Sequence, residues 1–154
     1  MCIDTLDIRP LPGVVLTHFT AQDIISRWDV IDVYSRATAS TAVHFLDKLE
    51  RKMPFNIRAI QVDGSSEFEA VFEEECHRRD IRLFVLPPRS PKLNGHVEQA
   101  HRTHTEEFYE VTESPFDIPE LYNTIRPHQA LDYLTPLKFL EEGKENQKKE
   151  AMCH

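Results

Sequence analysis

The sequence predicts an α/β protein with a mixed five-stranded sheet that is flanked by helices on both faces. Two observations support this fold class. Three strand-like segments come first and are separated only by short turns, which favours antiparallel hairpins. Helix-like and strand-like segments then alternate, which favours right-handed crossovers between parallel strands. The chain has 154 residues, of which 40% are hydrophobic and 29% charged, so it is long enough for one domain with a sizeable core.

Each predicted strand is either an alternation of apolar and polar residues or a short apolar run bounded by turn residues. The turn Leu11-Pro12-Gly13 separates the first two strands, and Ser26-Arg27 separates the second from the third. The predicted strands are residues 2–8, 14–25, 28–34, 56–64 and 81–87.

Helical spacing of apolar residues marks the first two helices. The first spans residues 40–53, where Ser40 is the expected N-cap and Pro54 ends the helix. The second starts at an expected capping box formed by Ser66 and Glu69. The side chains expected to be buried on this second helix are Phe68, Val71, Phe72 and Cys76.

The last third of the chain predicts two more helices and a polar end. One helix spans residues 96–111, and a shorter one spans 117–131 with a break near Pro127. The residues after Glu141 are almost all polar or charged, which is typical of disorder. We therefore expect a folded core at residues 1–140 and a disordered polar tail at 141–154.

The composition argues against membrane and zinc-binding classes. No apolar run approaches the roughly 20 residues that cross a bilayer, and the first residues show no secretion signal. The three cysteines, Cys2, Cys76 and Cys153, are odd in number and far apart, which favours a reducing compartment and excludes a CxxC zinc pair.

The charge of the chain gives mixed signals about nucleic acid. A net charge of −8 argues against DNA binding, because binding to phosphates is largely cationic. The charges are unevenly distributed, however, since residues 64–75 contain five glutamates and no lysine or arginine. Residues 76–105 contain six basic residues, which are Arg78, Arg79, Arg82, Arg89, Lys92 and Arg102.

Three carboxylates stand out: one within the first predicted strand, one at the end of a strand and one at the start of a helix. Asp63 follows a predicted strand, and Glu98 lies in the first turn of a predicted helix, where the helix dipole alone would explain it. Asp4 lies on the first strand, on the same face as Cys2 and Leu6, so we expect apolar neighbours. Each residue alone has an ordinary structural explanation. Together they would repel one another, and a hard divalent cation such as Mg²⁺ would relieve that repulsion.

The segments that carry these residues resemble a known family. Asp4 in "CIDTLDI", Asp63 in "IQVDGSSEF" and Glu98 in "SPKLNGHVEQAHRTHTEEF" resemble the DDE catalytic core of integrases and insertion-sequence transposases. The segment "YNTIRPHQALDYLTPLKFL" resembles the part that closes this core in bacterial insertion-sequence members. The resemblance runs in order from about residue 1 to residue 140.

The resemblance implies a ribonuclease-H-like fold and DNA strand cleavage and strand transfer without a covalent enzyme intermediate. It implies that Asp4, Asp63 and Glu98 are the catalytic residues and hold Mg²⁺ or Mn²⁺, with two ions per active site. The implied partners are DNA, as element ends and target, and further copies of the chain in a homodimer or higher oligomer. The implied location is the bacterial cytoplasm, at the nucleoid, and no membrane is involved.

The sequence departs from the family pattern in three places. Positions 64–97 make 34 residues between Asp63 and Glu98, one fewer than in the retroviral integrases. Gly64 stands where the family usually has an asparagine after the aspartate. No helix-turn-helix precedes Asp4, so we expect an N-terminal DNA-binding domain in a full-length protein.

The loop before Glu98 and the helix after it offer candidate DNA contacts. Arg89, Lys92, Asn94 and Arg102 are the candidates. Arg102 is four residues beyond Glu98, so it could bind a phosphate or form an ordinary ion pair with Glu98. Two rival functions stay open. One is a nuclease of the same fold that only hydrolyses DNA, and the other is an inactive or truncated core that acts as a dimerisation or regulatory module.

Overall fold

A computed structural model of the protein describes residues 1–87, 99, 102–103 and 118–152. The strands are β1 (Cys2–Leu11), β2 (Val14–Gln22), β3 (Asp29–Tyr34), β4 (Ala59–Val62) and β5 (Arg82–Val85). The helices are α1 (Ala39–Lys52), α2 (Val71–Arg78), α3 (Ile118–Thr124) and α4 (Pro136–Met152). Two short 3₁₀ helices, Ser66–Phe68 and Gln129–Leu131, lie between them. Gln99, Arg102 and Thr103 are helical, and the rest of the predicted helix 96–111 lies outside the described residues.

The five strands form one mixed sheet, as predicted, and their order is β3-β2-β1-β4-β5. The first three strands pair antiparallel through short turns. Gly13 has φ +79° between β1 and β2, a conformation that glycine adopts without steric cost. β4 pairs parallel with both β1 and β5, so helical crossovers join the parallel strands.

One face of the sheet, here called the α1 face, carries most of the hydrophobic core. Phe19 of β2 contacts Phe45 of α1 at a ring-centroid distance of 5.4 Å and Phe68 at 6.2 Å. Phe68 in turn meets Phe72 of α2 at 5.2 Å. All four rings are at most 2% exposed, so α1 and α2 are held against the sheet by a continuous aromatic cluster.

The opposite face, here called the α3 face, is held by buried polar contacts. The Gln22 Nε2 atom donates a hydrogen bond to the Tyr122 hydroxyl at 2.8 Å. Asn123 pairs with the backbone of Asp29 twice, because its Nδ2 donates to the Asp29 carbonyl and its Oδ1 accepts from the Asp29 N–H, both at 2.8 Å. Helices therefore cover both faces, which confirms the predicted fold class.

The first helix begins at a different cap from the one predicted. Thr38, not Ser40, is the N-cap of α1. The Thr38 hydroxyl accepts from the Thr41 N–H at 3.2 Å, and the Thr41 hydroxyl accepts from the Thr38 N–H at 2.8 Å. This reciprocal arrangement satisfies two backbone donors at once, which explains why the helix starts earlier than expected.

The predicted capping box of Ser66 and Glu69 is wrong. A 3₁₀ turn begins after Ser65, and α2 starts only at Val71, after Ala70 takes a φ of +43°. No side chain caps either start. The Phe68, Phe72 and Cys76 side chains are buried as predicted, but Val71, the first residue of α2, is 52% exposed.

The C-terminal part follows the predicted break and differs beyond it. α3 ends at Thr124 before Pro127, and a 3₁₀ turn follows at Gln129–Leu131. α4 continues to Met152, although we expected a disordered tail from residue 141. The residues of this stretch are rich in glutamate, lysine and glutamine, which have high helix propensity even without burial. The domain boundary at residue 140 stays a prediction.

In the part of the chain that the structure describes, no helix combines the length and the apolar character needed to span a membrane.

Candidate active site

Asp4 and Asp63 lie at the same level on neighbouring strands. β1 and β4 pair parallel with Cys2 opposite Gln61. Two residues further along each strand, this register brings Asp4 opposite Asp63, the first residue after β4. Paired parallel residues point to the same face, and adjacent strands are about 4.8 Å apart. This register is consistent with the predicted pairing of the two carboxylates near the carboxyl end of β4, and their assignment to one site stays a prediction.

Asp4 has more polar surroundings than we predicted. Its partner on β2 is Thr20, and the Nε2 atom of His18, which pairs with Leu6 on the same face, lies 3.5 Å from the Thr20 hydroxyl. The Thr5 N–H donates to Asp4 Oδ1 at 2.8 Å. Asp4 is half-buried, whereas Leu6 on the same face is 37% exposed. The expectation of an apolar environment failed because the residues on β2, not those on β1, set the surroundings.

Asp7 is three residues after Asp4 on β1, so the alternation of side chains along a strand turns it to the other face of the sheet. The Thr17 hydroxyl donates to Asp7 Oδ1 at 2.9 Å, and Thr17 faces Asp7 in the register. Thr5, on the same side as Asp7, donates from its hydroxyl to Glu67 Oε1 at 2.9 Å. Asp7 and Glu67 therefore lie on the α1 face, away from Asp4.

Ser65 orients the Asp63 carboxylate. The Ser65 hydroxyl donates to Asp63 Oδ2 at 2.6 Å, and its N–H donates to Oδ1 at 3.2 Å. Gly64 offers no polar side chain after Asp63, but the serine one position later does, and this role of Ser65 was not predicted. The signal was present, because an aspartate often accepts from the backbone two residues ahead in a turn.

Most of the other predicted site residues lie outside the described residues. These are Glu98, Arg89, Lys92 and Asn94. Arg102 is described, helical and exposed. Within the described ranges, no group of three or more histidine, cysteine, aspartate or glutamate side chains could hold a metal ion. The described donor set of Asp4 and Asp63 is two carboxylates, and hard divalent cations prefer such oxygen ligands. Their assignment as ligands stays a prediction.

Part of the chain matches a known sequence family. Residues 79–136 match the family described as "Integrase core domain". The match covers Glu98 and the segment around Arg126, but it does not reach Asp4 or Asp63. No curated protein sequence matches the chain.

Two solved structures have a similar fold. The crystal structure of the catalytic core domain of BIV integrase matches with a TM-score of 0.68 and 18% identity, covering 96% of this chain and 97% of that one. A chain in the cryo-EM structure of the simian T-cell lymphotropic virus intasome, in complex with PP2A regulatory subunit B56 gamma, matches with a TM-score of 0.74 and 14% identity. The alignment covers 90% of this chain, which spans about half (52%) of the intasome chain. The mixed five-stranded sheet is therefore the ribonuclease-H-like fold of integrase catalytic cores, and with the family match it supports a core of the integrase and transposase type.

Proposed function

We propose that this ribonuclease-H-like core of the integrase and transposase type catalyses DNA strand cleavage and strand transfer with divalent metal ions. The observation that carries the proposal is the parallel register of β1 and β4, which sets Asp4 level with Asp63. Two carboxylates on one face at the end of a parallel strand are a suitable ligand pair for Mg²⁺ or Mn²⁺.

The hydrogen-bond donors around the two aspartates orient their carboxylates. The Thr5 N–H holds one oxygen of Asp4, and Ser65 holds both oxygens of Asp63. Donors of this kind fix the orientation of a ligating carboxylate and tune its affinity for a metal ion. In the proposal, Glu98 is the third ligand and allows two ions per site. The ions, when bound, neutralise charge that develops on the phosphodiester during displacement.

The proposal extends to the DNA and to the assembly. Arg89, Lys92, Asn94 and Arg102 would contact the DNA backbone, and Arg102 is exposed on its helix. The matched viral chain belongs to an intasome, which supports a homodimer or higher oligomer as the working form. On this proposal the protein acts on element ends and target DNA in the bacterial cytoplasm.

Asp4→Asn should abolish cleavage and joining of a labelled oligonucleotide in Mg²⁺ or Mn²⁺, because it removes an anionic ligand. Glu98→Gln should do the same, since it keeps the size of the side chain and removes the charge. Asp7→Asn is the matched control, because Asp7 is on the same strand but on the α1 face. Its activity should equal that of the unchanged protein.

The products decide between the proposal and its rivals. Joined strands support strand transfer, whereas nicked products alone identify a nuclease of the same fold. An unchanged protein that shows neither product with either metal would point to an inactive module. Loss of activity in Asp7→Asn with retention in Asp4→Asn would show that the site lies on the other face.

A further inference from the structure

A cavity of about 540 Å³ opens on the α3 face beside the candidate active site. Its walls come from the end of β2, the turn between β2 and β3, the end of α3 and the turn that follows α3. Gln99 and Thr103, which lie one helical turn apart, form another part of the wall. The cavity therefore joins segments that are far apart in sequence, and its volume lies in the range of about 300–1,000 Å³ that ligand sites occupy.

The charge of this cavity is opposite to that of the whole chain. The protein carries 26 acidic residues and a net charge of −8. Among the described residues that line the cavity, however, no side chain is a carboxylate. The lining includes two arginines, Arg27 and Arg126, together with hydroxyl and amide groups that can donate hydrogen bonds. This chemistry suits an anionic ligand with several oxygen acceptors.

One wall of the cavity is ordered by contacts between buried groups. Gln22 donates to the Tyr122 hydroxyl at 2.8 Å, and both residues are almost fully buried. The Arg126 guanidinium lies 5.6 Å from the centroid of the Tyr122 ring, and the His128 ring meets the Tyr122 ring at 4.7 Å. The cation–π contact holds the Arg126 guanidinium beside the Tyr122 ring, and the donors of a guanidinium match phosphate oxygens in a bidentate way.

The Tyr122 hydroxyl adds no negative charge to this wall. Burial and the negative charge of nearby Asp29 raise the pKa of Tyr122 far above its ordinary value, against the opposite influence of Arg126, Gln22 and Arg27. The phenol is therefore neutral at physiological pH, and the arginines remain the charges that dominate the described lining.

The cavity is close to the candidate active site. Gln22 pairs with Cys2, which is two residues before Asp4 on the same face of β1. At about 3.3 Å per residue, this separation is roughly 7 Å along the strand. Gln99 directly follows Glu98 in the sequence. A strand of DNA at Asp4 and Asp63 can therefore place a neighbouring phosphate over the cavity.

We propose that this cavity binds a phosphodiester group of a DNA strand next to the cleavage site, with Arg126 and Arg27 as its cationic ligands. The inference rests on the proposed function, because it assumes that DNA approaches Asp4 and Asp63. It assigns DNA contacts to the β2–β3 turn and to the segment after α3, which are separate from the loop that precedes Glu98.

The first test is the salt dependence of DNA binding, measured by fluorescence anisotropy with a labelled duplex and the complete chain. Arg126→Ala should weaken binding and reduce the slope of log affinity against log salt by about 0.9, the value for one lost phosphate contact. Arg126→Lys should retain most of the slope, because it keeps the charge. Arg51→Ala, in an exposed arginine of α1, is the matched control and should retain the slope.

The second test reports occupancy of the cavity itself. Ala130→Cys places a thiol at an exposed position of the lining, in a Cys153→Ser background in which Cys2 and Cys76 are buried. An oligonucleotide should slow modification of this thiol by a maleimide. The same oligonucleotide should not protect a thiol introduced by Ser40→Cys, which is exposed on α1.

Each remaining outcome overturns the inference. Equal protection by deoxyadenosine monophosphate and by an oligonucleotide, at the same phosphate concentration, would identify a small-molecule site. If the slope of log affinity against log salt is unchanged in Arg126→Ala and the thiol at position 130 is not protected, the cavity does not contact DNA. If strand transfer persists in that case, only the cavity proposal is rejected and the proposed function is retained. If the chain neither binds nor cleaves DNA, both proposals are rejected.

Discussion

Ser65 is the residue that connects the turn after β4 to the chemistry of the candidate site. Its hydroxyl and its N–H donate to different oxygens of Asp63, so the carboxylate is held in one orientation. Asp4 receives a single such bond, from the N–H of Thr5. The hydroxyl of Ser65 can be removed without changing the backbone or either carboxylate, and this makes its contribution measurable.

Ser65→Ala should weaken Mn²⁺ binding about tenfold, because the loss of a partner that orients a ligand typically costs about 10–100-fold in affinity. Isothermal titration with Mn²⁺ measures the change. Ser66→Ala is the control, since Ser66 is the adjacent, exposed serine. Equal Mn²⁺ affinities in the two variants would mean that the Ser65 hydroxyl stabilises the turn and does not contribute to metal binding.

At the scale of one element, α1 shows how a local contact fixes the start of a helix. Thr38 and Thr41 bond reciprocally, backbone to side chain. Ser40 was an equally good candidate by residue type, and it became an exposed residue inside the helix. Residue type alone could not choose between two hydroxyls that are two positions apart, because the choice depends on which of them has an extended backbone.

Thr38→Ala should lower the free energy of unfolding by about 1 kcal/mol, the usual cost of losing a hydroxyl N-cap. Ser40→Ala should change it by less than about 0.5 kcal/mol, as for most exposed positions. Urea denaturation followed by circular dichroism gives both values. The opposite order of the two values would restore Ser40 as the cap.

At the scale of the whole molecule, Arg79 links the two helices that cover the α1 face. Its guanidinium reaches Asp47 and Glu50 of α1, both at 2.6 Å, and Glu75 of α2 at 3.0 Å. Only 11% of the Arg79 side chain is exposed, so one cation is shared among three carboxylates at the junction. This network depends on the ionised state of the carboxylates and therefore on pH.

Hydrogen bonds from Arg78 and Arg79 lower the pKa of Glu75 to about 2, from an ordinary value of 4.5. A lowered pKa in the folded state stabilises the fold fully above about pH 4.5, and this stabilisation is lost as the pH falls towards 2. Glu75→Gln should therefore destabilise the protein at neutral pH and lose that effect in acid. Thermal unfolding across this range tests the prediction, with the exposed Glu74→Gln as control. A penalty that is independent of pH would contradict it.

The mixed five-stranded sheet and the opposite orientations of Asp4 and Asp7 could be predicted, because both follow from periodicity along the chain. Hairpins at the start of the chain and crossovers later leave few possible arrangements of five strands. Asp4 and Asp7 are an odd number of positions apart on one strand, so their side chains point to opposite faces of the sheet. The surroundings of Asp4 could not be predicted, because Thr20 and His18 come from a neighbouring strand whose register was unknown. The cavity with Arg27 and Arg126 was missed for the same reason, since it joins segments about 100 residues apart.

The parallel pairing of β1 with β4 also has a consequence for folding kinetics. The two aspartates are separated by residues 5–62, so they meet only after a long loop, including α1, has closed. Contacts between residues that are distant in sequence form slowly, because the entropy of loop closure is lost before the contacts form. A refolding chain should therefore gain secondary structure before it can bind a divalent ion.

An ion that binds only the native pair shifts the equilibrium towards the folded state, so Mn²⁺ should protect β1 and β4 from amide hydrogen exchange more strongly than it protects the β2–β3 hairpin.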